Sequence, residues 1–164
     1  MAEAFAAANA IALEPTMPPR YRAGRHDTPT LEVWVAEPLA YMNRSGEAVR
    51  SLLEHAAAEP ASLIVVHDDL DLPLGRLRFK RRGGPGGHNG VRSIIDVLGT
   101  DAFTRLKVGV SRPPAGQDPV AYVLEPFRAG EREAVEAVIA RACDALDVAV
   151  NEGVSVAMNR FHPS

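Results

Sequence analysis

Three short segments carry the residue types that bind and transform polar ligands. Pro38-Leu39-Ala40-Tyr41-Met42-Asn43-Arg44-Ser45-Gly46 sets an aromatic ring and an amide at the junction of a predicted strand and helix. His67-Asp68-Asp69-Leu70-Asp71-Leu72-Pro73-Leu74-Gly75 delivers an imidazole and carboxylates at the exit of an apolar run. Gly83-Gly84-Pro85-Gly86-Gly87-His88-Asn89-Gly90 opens a second helix. All three fall in turns at strand ends, where ligands of α/β sheets collect. Beside them lies a strip of cations, Arg76, Arg78, Lys80, Arg81 and Arg82, with no acid among them. The formal net charge is −3, with acids gathered at Asp68, Asp69, Asp71 and from Glu125 through Glu136. A chain that is acidic overall can still offer such a strip to phosphates.

Each segment alone has a plain structural reading. Asn43 can cap the helix that starts near Ser45, and Asp68 and Asp71 can form a turn ahead of Pro73. The glycine run lacks the Lys-Ser/Thr ending of a Walker loop. Against the dinucleotide fingerprint it puts Asn89 where a third Gly or Ala belongs. A small nucleotide-binding domain built on this loop is therefore the least favoured reading, although N–H groups at a helix start can hold an anion.

The elements that position these residues follow from periodicity. The chain has 164 residues, 46% hydrophobic and 24% charged, which predicts one globular domain over residues 1–164. Residues 2–13 predict a helix ended by Pro15, Pro18 and Pro19; Glu3 and the absence of Lys or Arg there argue against a signal peptide. Leu31, Val33 and Val35 predict a strand, residues 45–58 a helix, and Leu63 to Val66 a strand covered on both faces. Leu77 and Phe79 alternate with Arg76, Arg78 and Lys80, so the cations share the face opposite the apolar pair. Residues 89–98 predict a helix stopped by Gly99, residues 106–110 a strand and residues 112–119 a loop. A long helix over residues 130–150 carries Val135, Val138, Ile139, Ala142, Leu146 and Ala149 as one core-facing stripe. The expected architecture is α/β, three layers around a mixed, twisted sheet. No apolar run approaches the ~20 residues needed to cross a bilayer. Cys143 is the only cysteine, expected as a buried apolar residue, and a reducing cytoplasm is the expected compartment.

Taken jointly, the order and spacing of the three segments resemble the bacterial-type peptidyl-tRNA hydrolase family. That family shows P-x-x-x-M-N-x-S-G, then H-D-[DE]-[LM]-D-L-P-x-G, then G-G-x-x-G-H-N-G leading into a helix. The resemblance extends over residues 2–161, including Phe103-x-Arg105-Leu106-Lys107-Val108-Gly109-Val110 and Tyr122-Val123-Leu124. It implies hydrolysis of the ester joining a peptide to the 3′-terminal ribose of tRNA, without metal or other cofactor, by a monomer. In the family a histidine activates water, and Asp68 matches the aspartate that accepts from its other ring nitrogen. Asn43 and Asn89 match the asparagines that contact substrate and help place the water; an uncharged amide offers both a donor and an acceptor. Tyr41 matches an aromatic lining the site, His88 precedes Asn89 in the same loop, and Arg78, Lys80 and Lys107 match cations presented to tRNA phosphates. Phosphate contacts orient without reading sequence, which suits an enzyme accepting every elongator tRNA.

The family also opens with G-x-G-N-P-G and T-R-H-N-x-G, whose histidine is the catalytic base, and neither motif is in this sequence. The expectation is a chain that begins downstream of them, through a mis-assigned start or shortening, with the first strand missing from the sheet. Asp68 is a poor substitute base, because a carboxylate near ~3.9 is a weak proton acceptor at neutral pH. Arg25-His26-Asp27 has the wrong position to supply one, and His26, His55 and His162 are expected at the surface, His26 in a loop. An RNA-binding relative without catalysis is the alternative, as in the plastid splicing factor that adopted this fold.

Overall fold

The computed structural model describes residues 1–16 and 21–162, so Pro18 and Pro19 lie outside the described residues. The chain forms two compact units, Met1–Val65 with Arg81–Thr104, and Val66–Lys80 with Arg105–Ser164. The described residues combine six α-helices with six strands in two sheets, giving the expected α/β fold.

In the first unit, helix α1 covers Ala2–Ala8, shorter than expected. The side-chain amide of Asn9 donates to Phe5 O (3.1 Å), and Ala10 takes φ 55°, a left-handed conformation that turns the chain out of the helix. Pro15 therefore does not end the helix but sits in strand β1, Glu14–Thr16, at a sheet edge where no N–H is required of it. Strands β2 (Tyr21–Asp27) and β3 (Glu32–Pro38) complete an antiparallel sheet in the order β1-β2-β3. β2 is polar enough to have read as a loop. Its inward residues Tyr21 and Ala23 are buried, while Arg22 pairs with Glu37 (2.7 Å) and Glu3, and Arg25 with Asp27 (2.8 Å) and Glu32 (3.1 Å). His26 is thus a strand residue opposite Val33, correcting its placement in a loop. His55, exposed as expected, meets Trp34 edge-on at 5.0 Å.

Helix α2 (Ser45–His55) follows a 3-10 turn at Met42–Arg44, and stops three residues before the expected end because Ala57 adopts φ 48°. Helix α3 (Asn89–Leu98) ends as expected at Gly99, whose φ of 68° closes it. Both helices pack together, and Val49 and Leu53 of α2 share a core with Val91 and Ile94 of α3 and Phe103. Burying each such side chain contributes about 1.5–3 kcal/mol.

The sheet β4-β6-β5 has strands at Ile64–Asp69, Leu77–Lys80 and Thr104–Gly109 for β4, β5 and β6, most of whose residues belong to the second unit. β5 and β6 are antiparallel, with Leu77 opposite Val108 and Phe79 opposite Leu106. β4 and β6 run parallel: Thr104 N–H donates to Leu63 O (3.0 Å), and Val110 N–H to Asp69 O (3.1 Å), at the same sequence offset. The sheet is mixed, as expected, but β4 extends past Val66 and holds His67, Asp68 and Asp69 within the strand. Helix α5 (Arg132–Asn151) buries Val138, Ala142, Cys143, Ala145, Leu146 and Ala149, close to the expected stripe. Two short helices, α4 (Pro119–Leu124) and α6 (Val154–Phe161), have too few turns to show a period in sequence. α6 packs on α5 and β5 and brings His162 onto the sheet. The Phe79 N–H donates to His162 Nε2 (2.6 Å), and the two rings stack at 6.2 Å. His162 is therefore half-buried and bonded, not a solvent-exposed side chain. Among the described residues no helix is long and apolar enough to cross a membrane.

Candidate active site

The first unit gathers Tyr41, Asn43, His88 and Asn89 through the starts of two helices. The 3-10 turn Met42–Arg44 leads into α2 and packs on α3. Arg44 N–H donates to Tyr41 O (2.8 Å), and Ser45 Oγ donates to Met42 O (2.8 Å), so Asn43 stands in a turn closed on both sides. On the facing element, His88 N–H donates to Pro85 O (3.1 Å), and His88 Nδ1 accepts from Val91 N–H (3.2 Å). His88 is thus the cap of α3. Asn89 is the first residue of that helix.

Tyr41, Asn43 and Asn89 are all exposed, Tyr41 at 83% of its surface. The side chains of Asn43 and Asn89 make no hydrogen bond to any other described residue, so each amide keeps a donor pair and an acceptor for a ligand. Asn43 does not cap α2, where no side chain fills that role.

Two helical glycines bring these segments into contact. A Cβ on Gly90 would stand 2.5 Å from Met42 Sδ, and one on Gly46 would overlap the Ser93 carbonyl and reach 2.8 Å from Val97 Cγ2. Gly46 N–H donates to Ser93 Oγ at 3.0 Å. Met42, Gly46, Gly90 and Ser93 were not singled out from the sequence as site-forming residues. The available signal was glycine inside a helical pattern, which costs about 1 kcal/mol relative to alanine and marks a close backbone approach.

Asp68, Arg78, Lys80 and Lys107 belong to the second unit. Asp68 is half-buried in β4, and its main-chain carbonyl accepts from His67 Nδ1 (2.6 Å). Lys107 forms an ion pair with Asp69, whose side chain is only 9% exposed. Burial opposes the charge on Asp69, but the Lys107 hydrogen bond and the Asp71 N–H (2.8 Å) outweigh it and hold the carboxyl below its usual range. Arg78 lies directly opposite Lys107 in the β5–β6 register, and Lys80 opposite Arg105. Arg78 and Lys80 are exposed, as their alternation predicts, whereas Arg105 is almost fully buried. Arg112 pairs with Asp71 beside a cavity of about 290 Å³ lined by Leu70, Leu72, Pro73 and Ser111. Among the described residues no three His, Cys, Asp or Glu side chains are grouped to hold a metal ion.

Comparison with known proteins gives this geometry a relationship. The family model described as peptidyl-tRNA hydrolase matches residues 1–164. A peptidyl-tRNA hydrolase of Synechococcus sp. (strain JA-3-3Ab) is 50% identical over 127 residues, which cover 77% of this chain and 56% of that protein. One of Nocardia farcinica is 45% identical over 131 residues, covering 80% of this chain and 68% of its own length. The crystal structure of peptidyl-tRNA hydrolase from Acinetobacter baumannii superposes with a TM-score of 0.89 at 30% identity, over 98% of this chain and 81% of that one. The motif spacing, the α/β fold and these relationships agree: the chain belongs to the peptidyl-tRNA hydrolase family.

Proposed function

We propose that the chain hydrolyses the ester between peptide and tRNA 3′-ribose in peptidyl-tRNA, releasing free tRNA for reuse in translation. The observation that carries this reading is the pair of exposed, unpaired amides, Asn43 and Asn89, held on two packed helix starts. Ester hydrolysis passes through a tetrahedral oxyanion, and fixed donors aimed at that charge lower the barrier without reorganising. Each amide also has an acceptor to orient the attacking water. Asp68 takes the role of acceptor for a histidine base, fixing its tautomer. Tyr41 and His88 flank the amides and contact the substrate. Arg78, Lys80 and Lys107 meet tRNA phosphates, Lys107 by sharing its charge with Asp69. The reaction needs no metal or cofactor, and the working form is a cytoplasmic monomer.

The test is hydrolysis of an N-blocked aminoacyl-tRNA by this chain and by a version extended upstream to the next in-frame start. Activity in either, lowered by Asp68→Ala and Asn89→Ala, supports the reading. Salt-sensitive tRNA binding with no cleavage by either would replace it with a non-catalytic RNA-binding role.

A further inference from the structure

We infer that Ser93 is a positioning residue for the two substrate amides, coupling Asn43 to Asn89 through one hydrogen bond. The inference rests on the proposed role of those asparagines. Asn43 and Asn89 sit on different elements, in segments 46 residues apart in the chain, yet a shared reaction centre needs them at fixed separation. Among the contacts that join those elements, two lie within four residues of both asparagines. At one, Met42 lies against Gly90; these are the immediate neighbours of Asn43 and Asn89. At the other, Ser93 Oγ accepts from Gly46 N–H at 3.0 Å, while the Ser93 carbonyl occupies the space where a Gly46 side chain would be.

The first contact is made by a flexible thioether, which fills space without fixing direction. The second is directional. Gly46 is buried in the first turn of α2, where N–H groups have no partner within their own helix. Ser93 supplies that partner from the first turn and a half of α3, so the hydroxyl caps one helix from another. The hydrogen bond fixes the rotation of the α2 start about the apolar contact, and hence where the Asn43 amide stands relative to Asn89. Ser93 itself is half-buried and is not assigned any contact with the substrate.

The experiment reads position and chemistry separately, using Ser93→Ala in the same protein. The side-chain amide cross-peaks of the asparagines in a ¹⁵N correlation spectrum report position; Asn9 and Asn151, each bonded to its own helix, serve as internal references. The expected result is that the Asn43 and Asn89 peaks move or broaden while the Asn9 and Asn151 peaks stay. On blocked aminoacyl-tRNA, kcat of the active form falls about 10- to 100-fold with KM nearly unchanged. Unmoved Asn43 and Asn89 peaks would overturn the inference, as would an equal displacement of all four, which marks general loosening. If the two peaks move selectively but even the parent protein cleaves nothing, the positioning role stands and the proposed activity falls.

Discussion

The candidate site residues of the first unit and those of the second use their polar groups in opposite ways. In the first, Asn43 and Asn89 are neutral, exposed and unbonded, and the precision lies beneath them in the contacts of Met42 with Gly90 and Gly46 with Ser93. In the second, charges are abundant and several are paired, Lys107 with Asp69 and Arg112 with Asp71, while Arg78 and Lys80 reach into solvent from β5. An amide that stabilises developing charge must be placed within tenths of an ångström, so its support is packed backbone. A cation that attracts a phosphate acts over a Debye length of roughly 8–10 Å, so it tolerates a mobile side chain. Position dominates in one region and charge in the other.

Substitutions can break that contrast, and the largest effect is expected at the amides. Asn89→Ala or Asn43→Ala should lower kcat of the active form about 10²- to 10³-fold, with a thermal midpoint close to that of the parent because both side chains are exposed. A large fall in midpoint would show that these residues hold the fold instead. Gly46→Ala comes next. Helix propensity alone would favour it by about 1 kcal/mol, but the added methyl meets backbone at Ser93, which cannot rotate away. Overpacking of about 1–3 kcal/mol should win, and denaturant titration would read a net loss of stability.

In the second unit the effects should be smaller and of another kind. Arg78→Ala with Lys80→Ala should weaken tRNA binding and flatten its salt dependence by roughly one to two phosphate contacts, leaving kcat at saturating substrate almost unchanged. A large kcat loss would erase the distinction between the two regions. The smallest effect concerns pH. Burial, then the charge of Arg78, hold the His162 imidazole below its ordinary value of 6.5. The unfolded ring binds a proton near 6.5 and the folded one only at lower pH, so its contribution to stability is complete above 6.5 and declines as pH falls through the folded value. The stability difference between the parent and His162→Ala should therefore shrink between pH 7.5 and pH 5 in paired denaturant titrations; a constant difference would assign it to packing alone.

Much of this arrangement is legible in the amino-acid sequence. The alternation at residues 76–80 placed Arg78 and Lys80 outward and Leu77 and Phe79 inward, because a strand has only two faces. Gly99 ended α3, and the stripe on α5 was readable over five turns. β2 was not legible, since Arg22, Arg25, His26 and Asp27 dilute its apolar face, and its stability comes from pairing with β3 and from ion pairs that composition does not show. At the site, the motifs name Asn43 and Asn89, but the helical glycine Gly46 signals only a close approach and does not name Ser93, its partner 47 residues away. The burial of His162 is hidden from the sequence for the same reason: its partner, Phe79, is 83 residues away.

That last bond has a consequence for how the protein behaves in a crowd. Among the described residues β5 is the last strand of its sheet, and an open sheet margin is a template on which another chain can add a strand. His162 takes the Phe79 N–H that an incoming strand would need, and Arg78 and Lys80 flank it with like charge. His162, just past α6, thereby acts as a stopper against self-association, so that loss of its ring should show as aggregation on storage at high concentration.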